Sequence, residues 1–251
     1  MAQQPSQAHG PAFLFDLDGT LVDSVYQHVL AWRQALEDVG IELAVWRIHR
    51  RIGMSGGLLV NALLRETGQV VDAAVVARLQ ERHAAAYMSL ADQVRPLPGA
   101  RELLETLTSN DVPWAIATSG RGDVARPVLE TLGVPPSVPI VTRDEVRYAK
   151  PDPDLFLTAA ARLGIDATNA VVVGDSVWDL LAAQRARRSE SAYCPADMGG
   201  PSSRSREPTR CTRIRPSCCG GSTRSACGGR SSARSFVPLV IPVHGSIRPP
   251  I

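Results

Sequence analysis

Four short apolar runs punctuate the chain, each closed by a polar or glycine-containing turn. They are Ala12-Phe13-Leu14-Phe15 before Asp16-Leu17-Asp18-Gly19-Thr20, Val112 to Ala117 before Thr118-Ser119-Gly120, Ile140-Val141 before Thr142, and Ala170 to Val173 before Gly174-Asp175-Ser176. Short unbroken runs of this kind read as strands buried on both faces of a parallel sheet. A helical pattern precedes each of the last three. Leu103, Leu104 and Leu107 follow the Pro98-Gly99 turn, and Val128, Leu129 and Leu132 stop at Gly133. Leu155, Phe156, Ala159 and Leu163 stop at Gly164, with Asp152 expected as N-cap and Pro153 at the first helical position. Alternating strands and helices predict an α/β domain with helices on both faces of the sheet.

Residues 24–95 interrupt this alternation. Val25, Val29, Trp32, Leu36 and Val39 form one helical stripe; Leu58, Leu59, Ala62 and Leu63 form a second, closed by Gly68; Val76, Leu79, His83 and Tyr87 form a third. With no strand-like run between them, the segment predicts an all-helical insert beyond the carboxyl end of the first strand. That is where open α/β sheets take up ligands, so its position suggests a lid.

Composition divides the chain again. Of 251 residues, 44% are hydrophobic, enough to fill a core, and no apolar run approaches the ~18 residues a membrane span needs. No basic segment followed by an apolar one opens the chain, so the expected location is the cytosol and no membrane partner is expected. Residues 1–184 hold 15 basic and 22 acidic side chains, whereas residues 185–251 hold 12 Arg, no Lys and 3 acidic residues. All five cysteines (Cys194, Cys211, Cys218, Cys219 and Cys227) lie in the second part, without a Cys-x-x-Cys pair to suggest a metal cluster. The Arg-rich composition attracts anions, but aromatic residues are too sparse there for single-strand recognition, and a nucleic-acid partner is not expected. The predicted organisation is a flexible terminus at 1–11, an α/β core at 12–23 and 96–186, the helical insert at 24–95, and a disordered Arg/Ser/Gly/Pro/Cys-rich tail at 187–251.

Every predicted strand ends in a polar candidate. Asp16 and Asp18 follow the first, Thr118 and Ser119 the second, Lys150 comes after the third, and Asp175 and Asp179 follow the fourth. Parallel strands bring all of these to one edge. Carboxylates crowded there repel one another unless a cation intervenes, and oxygen ligands without nearby Cys or His favour a hard ion, Mg²⁺, over zinc. Asp175 and Asp179, one helical turn apart, face one point. Lys150 is the single lysine among 27 basic residues, so a compact ammonium, rather than any positive charge, is wanted there.

The segments Asp16-Leu17-Asp18-Gly19-Thr20-Leu21-Val22-Asp23-Ser24, Ala117-Thr118-Ser119-Gly120, Lys150-Pro151-Asp152-Pro153 and Gly174-Asp175-Ser176-Val177-Trp178-Asp179 resemble, in order, the four motifs of the haloacid dehalogenase superfamily. More narrowly they resemble its phosphoglycolate phosphatase and β-phosphoglucomutase-like branch, which has a helical cap. The resemblance covers about residues 12–186 and implies a Rossmann-like core. It implies Asp16 as nucleophile forming an aspartyl-phosphate and Asp18 as general acid and base. It further implies Mg²⁺ bound by Asp16, the Asp18 backbone carbonyl and Asp175, with Asp179 as ligand or close by. Thr118, Ser119 and Lys150 would hold the phosphoryl group of a small phosphorylated metabolite. Phosphatase and sugar-phosphate mutase share all these residues, and a truncated non-catalytic product or a basic-tailed binding protein is a rival from another class.

Other side chains read as structural. His83 is expected as a satisfied core histidine, Trp32 and Tyr87 as packing for the insert, and Trp178 as packing near the fourth motif. Arg47, Arg50 and Arg51 are open between binding a distal anionic group and forming a solvated helix end; Arg121 and Arg126 are equally open. In the resembling family a further strand and helix follow the fourth motif, yet here the pattern collapses near Gln184 to Arg188. Our hypothesis is that a frameshift replaced the original ending. Re-reading the coding DNA beyond codon 185 in the other two frames is expected to yield a strand–helix ending with a Gly-rich loop; two frames without one refute it.

Overall fold

The computed structural model describes residues 12–68, 70 and 72–190. The expectations for residues 1–11 and for most of the 187–251 tail lie outside the described residues. Strand β1 (Ala12–Phe15) is followed by a two-residue strand β2 (Val22–Asp23) and by four helices: α1 (Val25–Glu37), α2 (Val45–His49), α3 (Gly56–Glu66) and α4 (Ala73–Met88). Strand β3 (Arg95–Pro96) leads into α5 (Ala100–Ser109), β4 (Trp114–Ala117), α6 (Gly122–Leu132), β5 (Ile140–Val141), α7 (Asp154–Arg162), β6 (Ala170–Val173) and α8 (Val177–Glu190).

Strands β5, β4, β1 and β6 form one parallel sheet in that order, with Phe15 aligned to Ile116 on one side and to Val173 on the other. All four carboxyl ends therefore open at the same edge. β4 starts at Trp114, two residues later than its apolar run: Pro113 has no N–H to give a ladder, although its carbonyl accepts the Phe13 N–H at 2.9 Å. Leu14, Ala115 and Ile116 are buried in the sheet, and Phe15 meets Trp114 edge-on. Among the described residues β6 is paired on one side only. A cavity beside it is lined by Phe15, Leu21, Leu97, Leu103 and Val173, together with Asp175.

The insert enters and leaves through β2 and β3, a two-stranded antiparallel pair with Val22 opposite Pro96. Strands this short, one of them ending in proline, leave no periodic trace in a sequence. Val29, Trp32, Leu36, Ile48, Leu59, Leu63 and Leu79 make an apolar cluster within the insert, whereas Ala31, Ala86 and Tyr87 join the cluster that covers the sheet. Helices α1 and α4 thus serve both clusters. α4 starts at its N-cap Asp72, which accepts the Ala74 N–H at 2.8 Å.

Two expected stripes are rotated. α3 buries Leu59, Val60, Leu63 and Leu64 and leaves Leu58 partly exposed, since neighbouring leucines on a helix point about 100° apart. α5 likewise buries Leu104 and Leu107 while Leu103 faces the cavity beside β6. Asp152 is not the N-cap of α7: the helix begins at Asp154 with Pro153 as its N-cap. Asp152 pairs instead with Arg185 at 3.2 Å, and Asp154 accepts the Tyr148 N–H. No described helix is long and apolar enough to cross a membrane.

Leu63 is enclosed by the insert cluster, so Leu63→Ala leaves a cavity there. We expect a loss of about 2–5 kcal/mol in chemical denaturation; a loss below ~1 kcal/mol contradicts the packing described.

Candidate active site

Asp16 lies directly beyond β1, a strand paired on both sides, and its N–H donates to the Val173 carbonyl at 2.9 Å. That bond draws the ends of β1 and β6 together. The Lys150 ammonium is wholly enclosed. It donates to Asp16 Oδ1 in a short contact, pairs with Asp179 Oδ1 at 2.8 Å, and sits 5.0 Å from the centre of the Phe156 ring. Asp16 Oδ2 has no hydrogen bond among the described residues.

Asp179, also buried, accepts from the Ser176 N–H at 3.1 Å and the Ser176 hydroxyl at 2.5 Å through its other oxygen. Gly174 is required beneath it, because a Cβ there would lie 2.5 Å from the Asp179 Cβ. Asp175 is open to solvent on one side, yet its carboxyl packs on Gly19, whose φ is +84° and whose missing Cβ would lie 2.7 Å from the Asp175 Cγ. Both the backbone angle and the contact demand glycine at 19.

One oxygen each of Asp16, Asp175 and Asp179 lies within 4.8 Å of the others. A single ammonium faces three carboxylates, and the surplus negative charge acts on the acidity of Asp16 and Asp175. Burial first, then the Asp179 charge, push Asp175 up to about 6. Burial and the neighbouring carboxylates hold Asp16 well above the usual range, although Lys150 opposes them. For Lys150, burial favours the neutral amine, but Asp16 and Asp179 outweigh it and hold the ammonium charged. An all-oxygen cluster short of positive charge suits a hard divalent cation.

Asp18 stands apart from that cluster. Its Oδ1 accepts from Ser24 Oγ at 2.5 Å and His28 Nε2 at 3.1 Å, and Thr118 Oγ1 lies 3.5 Å from its Oδ2. Burial alone would raise Asp18, but the His28 charge and these hydrogen bonds bring it below the ordinary carboxylate value. The Thr118 hydroxyl also accepts the Gly120 N–H at 2.9 Å, which fixes the turn after β4, while the buried Ser119 hydroxyl has no partner. Asp16, Asp18, Ser119, Gly120, Arg121 and Arg143 share one cavity with side chains of the insert.

All the expected residues therefore gather at one edge. Ser24 and His28 were not singled out in the sequence; their one signal is a polar pair four residues apart flanking the start of α1. His83 does more than pack: its Nε2 is 3.1 Å from His28 Nδ1, and its ring lies on Trp32 and lines the cavity. Arg47, Arg50 and Arg51 all converge on Glu66, and none of them lines the cavity. Arg121 lines the cavity and pairs with Asp123 at 3.0 Å; Arg126 does not line it. Trp178 packs beside Gly53 of the insert.

Residues 11–187 match the family model of the haloacid dehalogenase-like hydrolases. Hexitol phosphatase A of Escherichia coli is 34% identical over 166 residues, 65% of this chain and 74% of that protein. Phosphoglycolate phosphatase of Neisseria meningitidis is 33% identical over 185 residues, 71% of this chain and 77% of that protein. The crystal structure of a hydrolase from Pseudomonas syringae is 53% identical, covers 70% of this chain and 80% of its own, and superposes with a TM-score of 0.68.

A raised carboxyl pKa means the folded protein favours the protonated acid, so ionisation of Asp175 as pH rises through about 6 costs stability that a divalent cation restores. In thermal melts, Mg²⁺ is expected to raise the midpoint at pH 8 and to lose that effect below about pH 6. An equal shift at pH 5 and pH 8 contradicts the cluster as an ion site.

Proposed function

The chain belongs to the haloacid dehalogenase-like hydrolases, and from that premise we propose that it hydrolyses a small phosphate monoester through an aspartyl-phosphate on Asp16. The observation that carries this reading is the unequal setting of two neighbouring carboxylates. Asp16 is pinned by Lys150 through one oxygen and has the other unengaged, whereas Asp18 is held by Ser24 and His28 away from the carboxylate cluster. Two acids in such different surroundings suit two roles.

Asp16 attacks phosphorus, forming the acyl-phosphate bond as the bond to the ester oxygen breaks, and Asp18 gives its proton to the departing oxygen. Bringing a phosphate dianion beside Asp18 adds like charge and drives its pKa back upward, toward the protonated form this step needs. In the second half Asp18 takes a proton from water as the water oxygen attacks phosphorus, and Asp16 is released with inorganic phosphate. The Ser119 hydroxyl, unpartnered in the protein, and the N–H groups of the turn after β4 suit phosphate oxygens, with the Lys150 ammonium beside them. Asp16, Asp175 and the Asp18 main-chain carbonyl would hold Mg²⁺, with Asp179 as ligand or close by, and the ion would supply positive charge that offsets repulsion between two anions. Residues 24–95 act as a cap that keeps bulk water from the acyl-phosphate. Both curated relatives cited above carry phosphatase names, which supports hydrolysis over mutase action.

Asp16→Asn is expected to bring inorganic-phosphate release from 4-nitrophenyl phosphate to background with an unchanged circular dichroism spectrum. Asp18→Asn is expected to lower the rate about 10²–10⁴-fold. An Asp16→Asn variant with the parent rate refutes the nucleophile.

A further inference from the structure

Relatives at 34% and 33% identity carry names for a polyol ester and for a carboxylate-bearing ester. Overall likeness therefore does not choose between the two, and the choice falls to the cavity wall facing Asp16 and Asp18. On the insert side that wall is His28, Trp32, Met54, Leu59, Gln80 and His83, and the one basic group among them that reaches a carboxylate, His28, is already held by Asp18. The arginines nearest in sequence are gathered on Glu66. On the core side Arg121 holds Asp123, and Arg143 donates to the Val146 carbonyl at 2.8 Å.

His83 is fixed in two ways. Its ring stacks on Trp32 at 4.0 Å and 14°, and its Nε2 is 3.1 Å from His28 Nδ1, whose ring in turn reaches Asp18. Burial, and then the neighbouring His28, keep it well below the usual histidine range, hence neutral. Its Nδ1 and the Gln80 amide have no hydrogen-bond partner among the described residues. A bound molecule that fills this cavity must satisfy them or leave polar groups unpaired.

Resting on the phosphatase reading above, we infer that the leaving group is an uncharged polyhydroxylated one, an open-chain polyol or sugar, and that His83, stacked on Trp32 and linked through His28 to Asp18, selects it together with Gln80. A hydroxyl both donates and accepts, so it matches Nδ1 in either tautomer and both ends of an amide. A carboxylate only accepts, and the basic groups lining this cavity already have partners: His28 in Asp18, Arg121 in Asp123 and Arg143 in the Val146 carbonyl.

The full chain with Mg²⁺ is assayed for kcat/KM on glucitol 6-phosphate, phosphoglycolate and 4-nitrophenyl phosphate. Glucitol 6-phosphate is expected to exceed phosphoglycolate by at least about tenfold. His83→Phe keeps the stack on Trp32 and removes both nitrogens; Gln80→Leu is close in shape. Each is expected to lower kcat/KM for glucitol 6-phosphate about tenfold to a hundredfold, mainly through KM, and by more than for 4-nitrophenyl phosphate. Should His83→Phe fail to fold by circular dichroism, Gln80→Leu decides. Phosphoglycolate used equally well or better, or equal losses on all three esters, overturns the inference while the phosphatase reading stands. Absence of turnover on every ester by the parent chain overturns both.

Discussion

The site depends on one buried ammonium. Taking a lysine wholly out of water is unfavourable unless carboxylates replace its hydration, and Lys150 has two, Asp16 and Asp179, with the face of Phe156 beside it. The dependence is mutual, since both acids are buried as well and would repel each other without it. This triad joins the loop before α7, the end of β1 and the first turn of α8, so it closes the functional edge of the sheet electrostatically. In a chain whose other 26 basic residues are arginine, a point charge with three donors is kept at the place where the two acids meet.

Much of this edge was legible because its information is local. Asp16, Thr118 and Asp175 each follow an apolar run that ends in a turn, and a parallel sheet converts that repetition into proximity. What depended on partners distant in sequence was not legible. Nothing in Arg47, Arg50 or Arg51 foretells Glu66, and nothing in Asp18 foretells His28, because hydrogen bonding between a loop and the next helix leaves no period. Asp152 misled for the same reason: a good capping residue was drawn to Arg185, a partner 33 residues away. The rotated faces of α3 and α5 show a finer limit, since adjacent leucines fit two overlapping stripes and only packing chooses between them.

Helices α1 and α4 belong to both apolar clusters. α1 gives Ala31 to the sheet cluster and Val29, Trp32 and Leu36 to the insert cluster, and α4 gives Ala86 and Tyr87 to the first and Leu79 to the second. The layered rings of Trp32 on His83 and of His28 on Tyr87, 4.0 Å apart in both cases, lie across that division. Their stacking sets the plane of the imidazoles, and that plane sets where Asp18 is held. His28 and His83, both in the insert, thus form a chain of contacts from Trp32 to Asp18 of the core.

Asp175 rides at the end of β6, which among the described residues has a sheet neighbour on one side alone. A marginal strand opens to amide hydrogen exchange before a central one does. The backbone bond from Asp16 to Val173 and any ion shared by Asp16 and Asp175 span the same seam. Loading the ion and annealing the rim of the sheet are then one thermodynamic event: whatever tightens β6 from outside raises affinity for the cation, and by reciprocity the cation slows fraying of β6.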